Sequence, residues 1–343
     1  MTAVYITIDT EYAANLPGAG GGPDTRQENF ARSIACSTSA GDVGIFHQMD
    51  VMDAHGIKGV FFVDPMPALL WGVAAIEDIV RPILQRGHAV QLHCHTEWLA
   101  LAPGNGLAGG RTGQHLHSFA FDDQCAILDY ARDTLIAAGA PPPMAFRAGN
   151  YGANDDTLRA LAEIGVPYDT SHCPALAETG DCRIGLGPED RRPLYRHGTI
   201  EIPVAGIGTV SGGMRHAQVT AVSADEMLAA ISHARDHAIG TFVIVSHSFE
   251  LLSRDRQRKN RIVARRFERL CAGIAALDGV RSATIEDQPP RPRDNPIPVP
   301  LAPPSALREG ARIVEQVVAN AVYAHRPQID TRKALAATAI LLC

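Results

Sequence analysis

The chain has 343 residues, of which 46% are apolar, 20% charged and 6% aromatic, with a formal net charge of −6. That composition supports one large domain with additions, or two modest ones, and excludes global disorder. The mild acidity speaks against nucleic-acid binding, and no apolar run approaches the roughly 20 residues that span a bilayer.

In chain order, strands and helices alternate. Val4–Ile8 is a β-rich run. Asp42 is placed to cap a helix through about His55, and Gly59–Val63 is a strand. Ala74–Arg86 reads as a helix ended by Gly87, and Ala89–His93 as a strand. Phe121–Ala138 is an amphipathic helix, Met144–Arg147 a strand, Asp155–Ile164 a helix, and Val166–Asp169 and Ile200–Val204 are strands. Ser223 with Glu226 forms a capping box that opens a helix to about Ala238. Thr241–Val245 is apolar almost throughout, as a buried parallel strand is. Arg254–Leu277 reads as one long helix, whose stretch to Arg269 carries eight basic and two acidic residues, and Val280–Ile285 as a last strand. Repeated β-then-α order predicts a parallel sheet or barrel with helices outside.

Eight of the 23 prolines fall between Pro289 and Pro304, which marks an extended linker. Beyond it Ser305 can cap a helix with the stripe Leu307, Val314, Val317, Val318 and Val322. A last piece runs from about Asp330 to Cys343. This tail is expected to pack on the main domain or on a second subunit. The N-terminus lacks the basic and apolar regions of a secretory signal. Seven irregularly spaced cysteines suggest free thiols in a reducing compartment. A cytoplasmic location is expected.

In such folds reactive groups collect at the C-terminal ends of strands. Asp9-Thr10-Glu11, His93-Cys94-His95-Thr96-Glu97, Arg147, Asp169 and Ser246-His247-Ser248 all stand at such ends. Asp9 and Glu11, at i and i+2 on extended chain, face one way; one can ligate a metal while the other serves as general base. His93 and His95 share that geometry. With one carboxylate they make a set suited to Zn²⁺ or another divalent first-row ion. Glu97 can replace His95 if the chain turns helical there. Cys94 points away from both. Arg147 can hold a carboxylate ionised. The Ala-Gly-Asn-Tyr-Gly that follows it can line an oxyanion hole with the N–H of Asn150 or Tyr151. His247 can act as a general acid. The basic stretch at 254–269 reads as a solvated face, or as an attraction for an anionic substrate. His115, His117, His172 and His216 lie in loops, and position alone does not assign them.

The order of these motifs resembles that of the polysaccharide deacetylases, the carbohydrate esterases that share the NodB-homology domain. Ile6-Thr7-Ile8-Asp9-Thr10-Glu11 is similar to the family's Thr-Phe-Asp-Asp motif. The run His55 to Val63 resembles its Gly-x-x-Ala-Thr-Phe-Phe-Val segment, and Arg86 to His93 the approach to its metal histidines. Phe146-Arg147-Ala148-Gly149-Asn150-Tyr151-Gly152 resembles Phe-Arg-Pro-Pro-Tyr-Gly, and Val245-Ser246-His247-Ser248 its late Leu-His motif.

The resemblance implies a distorted (β/α) barrel over residues 1–287, which leaves the Pro-rich linker at 288–304 and the helical tail at 305–343 as an appendage. It implies metal-dependent hydrolysis of a non-peptide amide, most simply removal of an N-acetyl group from a sugar. Asp9 is then the base, Glu11, His93 and His95 hold a divalent ion, expected to be Zn²⁺, and Arg147 orients the base. The Tyr151 backbone serves the oxyanion and His247 the leaving amine. Two positions depart from the family pattern. Thr10 stands where the second aspartate would, so Glu11 takes the ligand role. Glu97 stands at the second position of His-x-x-x-His, so His95 becomes the second imidazole, a His-x-His variant. The expected partner is a carbohydrate or small amide, with no nucleic acid and no membrane span, and the tail is a possible homo-oligomer contact. The alternatives are a metal hydrolase of a phosphoester or cyclic amide, and a non-catalytic carbohydrate-binding relative.

Overall fold

The computed structural model describes residues 1–16, 24–292 and 300–323. The sheet is built around β1 (Thr2–Thr10), which is buried along its whole length. It is longer than the apolar run Val4–Ile8 because its flanking Thr2, Asp9 and Thr10 are buried as well. A short hairpin of β2 (Ser37–Thr38) and β3 (Gly41–Asp42) follows the one-turn α1 (Arg26–Asn29). Asp42 therefore caps nothing. Its carboxylate accepts from the Ser37 hydroxyl at 2.7 Å, and α2 (Ile45–Ala54) starts at Gly44 without a side-chain cap.

Next come β4 (Gly59–Val63), α3 (Ala68–Trp71), α4 (Ala74–Gln85), β5 (Ala89–Cys94), α5 (Trp98–Leu101), α6 (Phe121–Ala137), β6 (Ala145–Ala148), α7 (Asp155–Glu163) and β7 (Tyr168–Asp169). The remainder holds β8 (Leu194–Arg196), β9 (Thr199–Glu201), a second hairpin of β10 (Gly206–Gly208) and β11 (Met214–His216), α8 (Ala224–Asp236), β12 (Thr241–His247), α9 (Arg261–Ala276), β13 (Val280–Ser282) and α10 (Ala306–Tyr323). The expected capping box opens α8. The expected long helix from Arg254 does not form. Residues 254–260 make turns, and the Asn260 side chain caps α9 by accepting from the N–H of Ile262 and Val263, so the first basic residues of that stretch lie outside the helix.

The main sheet runs β12-β1-β4-β5-β6-β7-β9-β8, with β13 pairing the start of β1. Every pairing in it is parallel except β8 with β9. Backbone from 205 to 219 bonds the free edge of β12 through Ala205 N–H to Val243 C=O (3.1 Å) and Val245 N–H to Ala217 C=O (2.8 Å). The sheet thus curls into a distorted barrel whose gap irregular chain closes.

Strand alternation divides the core. Val4, Ile6, Ile8, Phe61, Val63, Val90, Leu92 and Phe146 pack into the helix layer. Ala3, Tyr5, Val60, Phe62, Ala89, Ala145, Val243 and Val245 fill the opposite, interior face. Each fully buried aliphatic or aromatic side chain contributes about 1.5–3 kcal/mol.

The tail helix packs on the main domain with the opposite face from the one its pattern suggests. Leu307, Val314 and Val317 are 87%, 63% and 62% exposed, while Arg312 is 1% exposed. Arg312 binds Glu226 of α8 at 3.2 Å, and Arg266 of α9 binds Glu315 at 2.7 Å. Ionic bonds, rather than the apolar stripe, hold α10 to α8 and α9. The piece from Asp330 to Cys343 and linker residues 293–299 lie outside the described residues. Among the described residues no helix is long and apolar enough to cross a membrane.

Candidate active site

Side-chain alternation puts Asp9, His93, Arg147 and His247 on the interior face at the C-terminal ends of β1, β5, β6 and β12. Parallel register aligns them in pairs, Asp9 beside His247 and His93 beside Arg147. A cavity of about 530 Å³ opens there, and Asp9, Glu11, His93, His95, Tyr151 and His247 all line it. Six of the seven residues singled out from the sequence share this one cavity. The seventh, Arg147, lies directly behind it and is fully buried.

The donor atoms of Glu11, His93 and His95 lie within 4.8 Å of one another. Glu11 Oε2 is 3.1 Å from His93 Nε2 and 2.6 Å from His95 Nε2. His93 Nδ1–H donates to the Arg147 carbonyl at 2.6 Å, which leaves Nε2 free as a ligand. Burial pushes the Glu11 carboxyl up, but the two imidazoles, His95 foremost, hold it well below the usual range. Two imidazoles that turn Nε2 toward one carboxylate are a donor set that fits Zn²⁺ or a similar divalent ion. Thr10 and Glu97 are not part of it. The Thr10 hydroxyl turns to the Ile8 carbonyl at 3.1 Å, and Glu97 lies across the His95 ring. Cys94 is buried in the helix layer, as expected.

Asp9 Oδ1 accepts from Arg147 Nη1 at 2.6 Å. Arg147 Nε donates to the Thr170 carbonyl at 3.3 Å, and the guanidinium lies over the Phe62 ring at 4.5 Å. An arginine without water around it, held at this distance, fixes the Asp9 carboxylate in place. Asp169 does not reach the cavity. It pairs with Glu201 across β7 and β9, both fully buried. Burial and the Asp169 charge push the Glu201 carboxyl well above its ordinary value, so Glu201 keeps its proton and donates it to Asp169.

The turn after β6 is strained. Asn150 and Tyr151 both adopt left-handed backbone, with φ of 54° and 55°. Such conformations cost non-glycine residues on the order of 1–3 kcal/mol each and collect at functional sites. Here the strained turn lies on the cavity wall. Gly149 before it has no Cβ for a reason: one placed there would stand 2.7 Å from the His95 ring.

His247 Nε2 lies 3.9 Å from Asp9 Oδ2. Its Nδ1–H donates to Glu250 Oε1 at 3.1 Å. Glu250 also accepts from Thr220 Oγ1 at 3.1 Å, Ser246 Oγ at 3.2 Å and Gln218 Nε2. Burial lowers the His247 pKa, but the Glu250 bond and charge, helped by Asp9 and Glu11, outweigh it and raise it to about 9. His247 is therefore a cation at neutral pH, able to give up a proton from Nε2.

Sequence reasoning missed Glu250, whose only signal is its place three residues after a strand-end histidine. It also missed Asp64, although the strand-end rule covers it, since Asp64 directly follows β4. Its Oδ1 accepts from the His95 N–H at 3.3 Å, and burial raises it to about 7.

No family model matches the sequence, and no curated protein sequence matches it. Among solved structures, a Mycobacterium smegmatis protein described as a polysaccharide deacetylase is 17% identical. It covers 83% of this chain and 87% of its own, at a TM-score of 0.50. A 4-alpha-glucanotransferase from Thermococcus litoralis is 12% identical over 84% of this chain and 41% of its own, at a TM-score of 0.52. A family 4 carbohydrate esterase from Streptomyces lividans is 11% identical over 84% and 96%, at 0.43. The chain thus has the distorted (β/α) barrel fold that the motif order implied.

Proposed function

We propose that the protein is a metal-dependent hydrolase of non-peptide amide bonds that removes an N-acetyl group from a sugar. The observation that carries this reading is the content of one cavity: a Glu-His-His donor set, a carboxylate locked to a buried arginine, and a cationic histidine 3.9 Å from that carboxylate. The fold shared with a protein described as a polysaccharide deacetylase supports it, although fold alone does not select a reaction.

Glu11, His93 and His95 would hold the ion, which supplies Lewis acidity and a water of lowered pKa. Asp9, held in place by Arg147, takes the proton of the attacking water. The Tyr151 N–H, presented by the strained turn, donates to the oxygen that becomes negative as the acetyl carbon turns tetrahedral. His247 then donates its Nε2 proton to the departing nitrogen, so acetate and a free amine leave together. The test is acetate release from N-acetylated sugars. Asp9→Asn is expected to keep stoichiometric metal and lose nearly all turnover, and His93→Ala to lose metal. An Asp9→Asn enzyme as active as wild type overturns the mechanism.

A further inference from the structure

The two imidazoles of the donor set are anchored differently. His93 gives its Nδ1–H to a neutral carbonyl at 2.6 Å. His95 gives its Nδ1–H to the Glu97 Oε1 carboxylate at 3.0 Å while its Nε2 faces Glu11. The chain does turn helical at this point, since α5 begins at Trp98 with Glu97 as its first flanking residue. That turn brings Glu97 to the opposite edge of the His95 ring from Glu11, outside the donor cluster. The Glu97 side chain is 23% exposed, and its Oε2 is buried without a partner. Asp64 holds the His95 backbone N–H, and the bare Cα of Gly149 lies against the ring face. Each of these contacts fixes His95, and outside the donor set only Glu97 binds a ring nitrogen directly.

We propose that Glu97 is a positioning residue of the metal centre. It is not a ligand, but it sets through His95 how tightly the ion is held. The carboxylate fixes the tautomer that offers Nε2 and makes the ring a stronger donor, as outer carboxylates do for ligating histidines. This rests on the metal reading of the Glu11-His93-His95 set.

The experiment uses the full chain, stripped of metal and titrated with Zn²⁺ against a chromophoric chelator, alongside thermal unfolding of the metal-free forms. Wild type is expected to bind one equivalent. Glu97→Gln, which keeps an acceptor but loses the charge, is expected to bind about 10–100-fold more weakly, with metal-free unfolding as in wild type. In a His95→Ala background, Glu97→Gln is expected to cost nothing further. Wild-type affinity in Glu97→Gln overturns the proposal, and so does an equal further loss in the His95→Ala background, because Glu97 would then act on the ion directly. A wild-type protein that binds neither Zn²⁺ nor another first-row divalent ion overturns the metal reading itself.

Discussion

Two arginines are about equally hidden in this protein, Arg147 at 0% and Arg312 at 1% exposure, yet they are built for different tasks. Arg312 is fully satisfied: Nε binds Glu226, Nη1 Gln316 at 2.9 Å and Nη2 Glu309 at 3.3 Å. Its partners lie on two helices, and none touches the cavity. Arg147 leaves Nη2 without a partner, and the carboxylate it binds faces the cavity. Burial of a charge therefore does not mark a site. A buried charge with an unfilled bond beside an open cavity does, because the missing partner is what a reaction can supply.

The largest expected effect breaks that comparison if it is wrong. Arg147→Met removes one partner of a buried pair, which costs about 3–5 kcal/mol, and frees Asp9, so kcat is expected to fall at least about 100-fold. Arg312→Met is expected to lower the unfolding temperature or release α10 to proteolysis while kcat per folded molecule stays at the wild-type value. Equal kcat losses in the two variants, measured by acetate release and scaled to folded protein, would erase the distinction.

Next in size is the pH profile. The His247 cation is present below its pKa of about 9 and is lost as pH rises through it, so kcat/KM should fall on the alkaline side near that value. Glu250→Gln removes the charge that raises it, and the alkaline limb should move toward the ordinary histidine value of about 6.5. An unmoved limb would mean that His247 is not the acid. The same raised pKa stabilises the fold fully below about 6.5, and that stability is lost as pH rises through about 9.

The Asp169–Glu201 pair offers a smaller effect on stability. The raised Glu201 pKa favours the fold at low pH, and the benefit is lost as pH rises. Glu201→Gln keeps a donor for Asp169 without a proton to lose. At pH 8 it is expected to gain about 2–4 °C in Tm for each kcal/mol recovered, and to change little at pH 5. A melting temperature lowered equally at both pH values would refute the neutral-donor role. Smallest is Ser223→Ala, which removes the α8 capping box at about 1 kcal/mol, read from denaturant midpoints.

The strands were legible because parallel strands buried on both faces leave apolar runs such as Gly59–Val63 and Thr241–Val245. Period two then makes each strand-end residue's direction computable, which is why Asp9, His93 and His247 could be read and Cys94 set aside. What escaped depends on chain leaving the strands. Glu250 reaches His247 only because residues after β12 turn back, and Gly149 matters only because His95 arrives from another strand. The face of α10 was misread for a different reason. Its pattern shows which side is apolar, but the docking side is set by Glu226 and Arg266, far away in sequence, and no local period encodes ionic partners.

The central strand has a consequence for how the molecule comes apart. β1 is bonded to β12 along one edge and to β4 and β13 along the other, so its amides are expected to belong to the last cooperative unit to open in hydrogen exchange. Asp9 lies inside that unit, whereas Glu11 lies just past its end. Under mild denaturation the chain is expected to displace Glu11, and with it the proposed metal set, before it disturbs Asp9. If the proposed metal set is needed for turnover, a partly opened molecule would then be inactive but recoverable by refolding only a few residues.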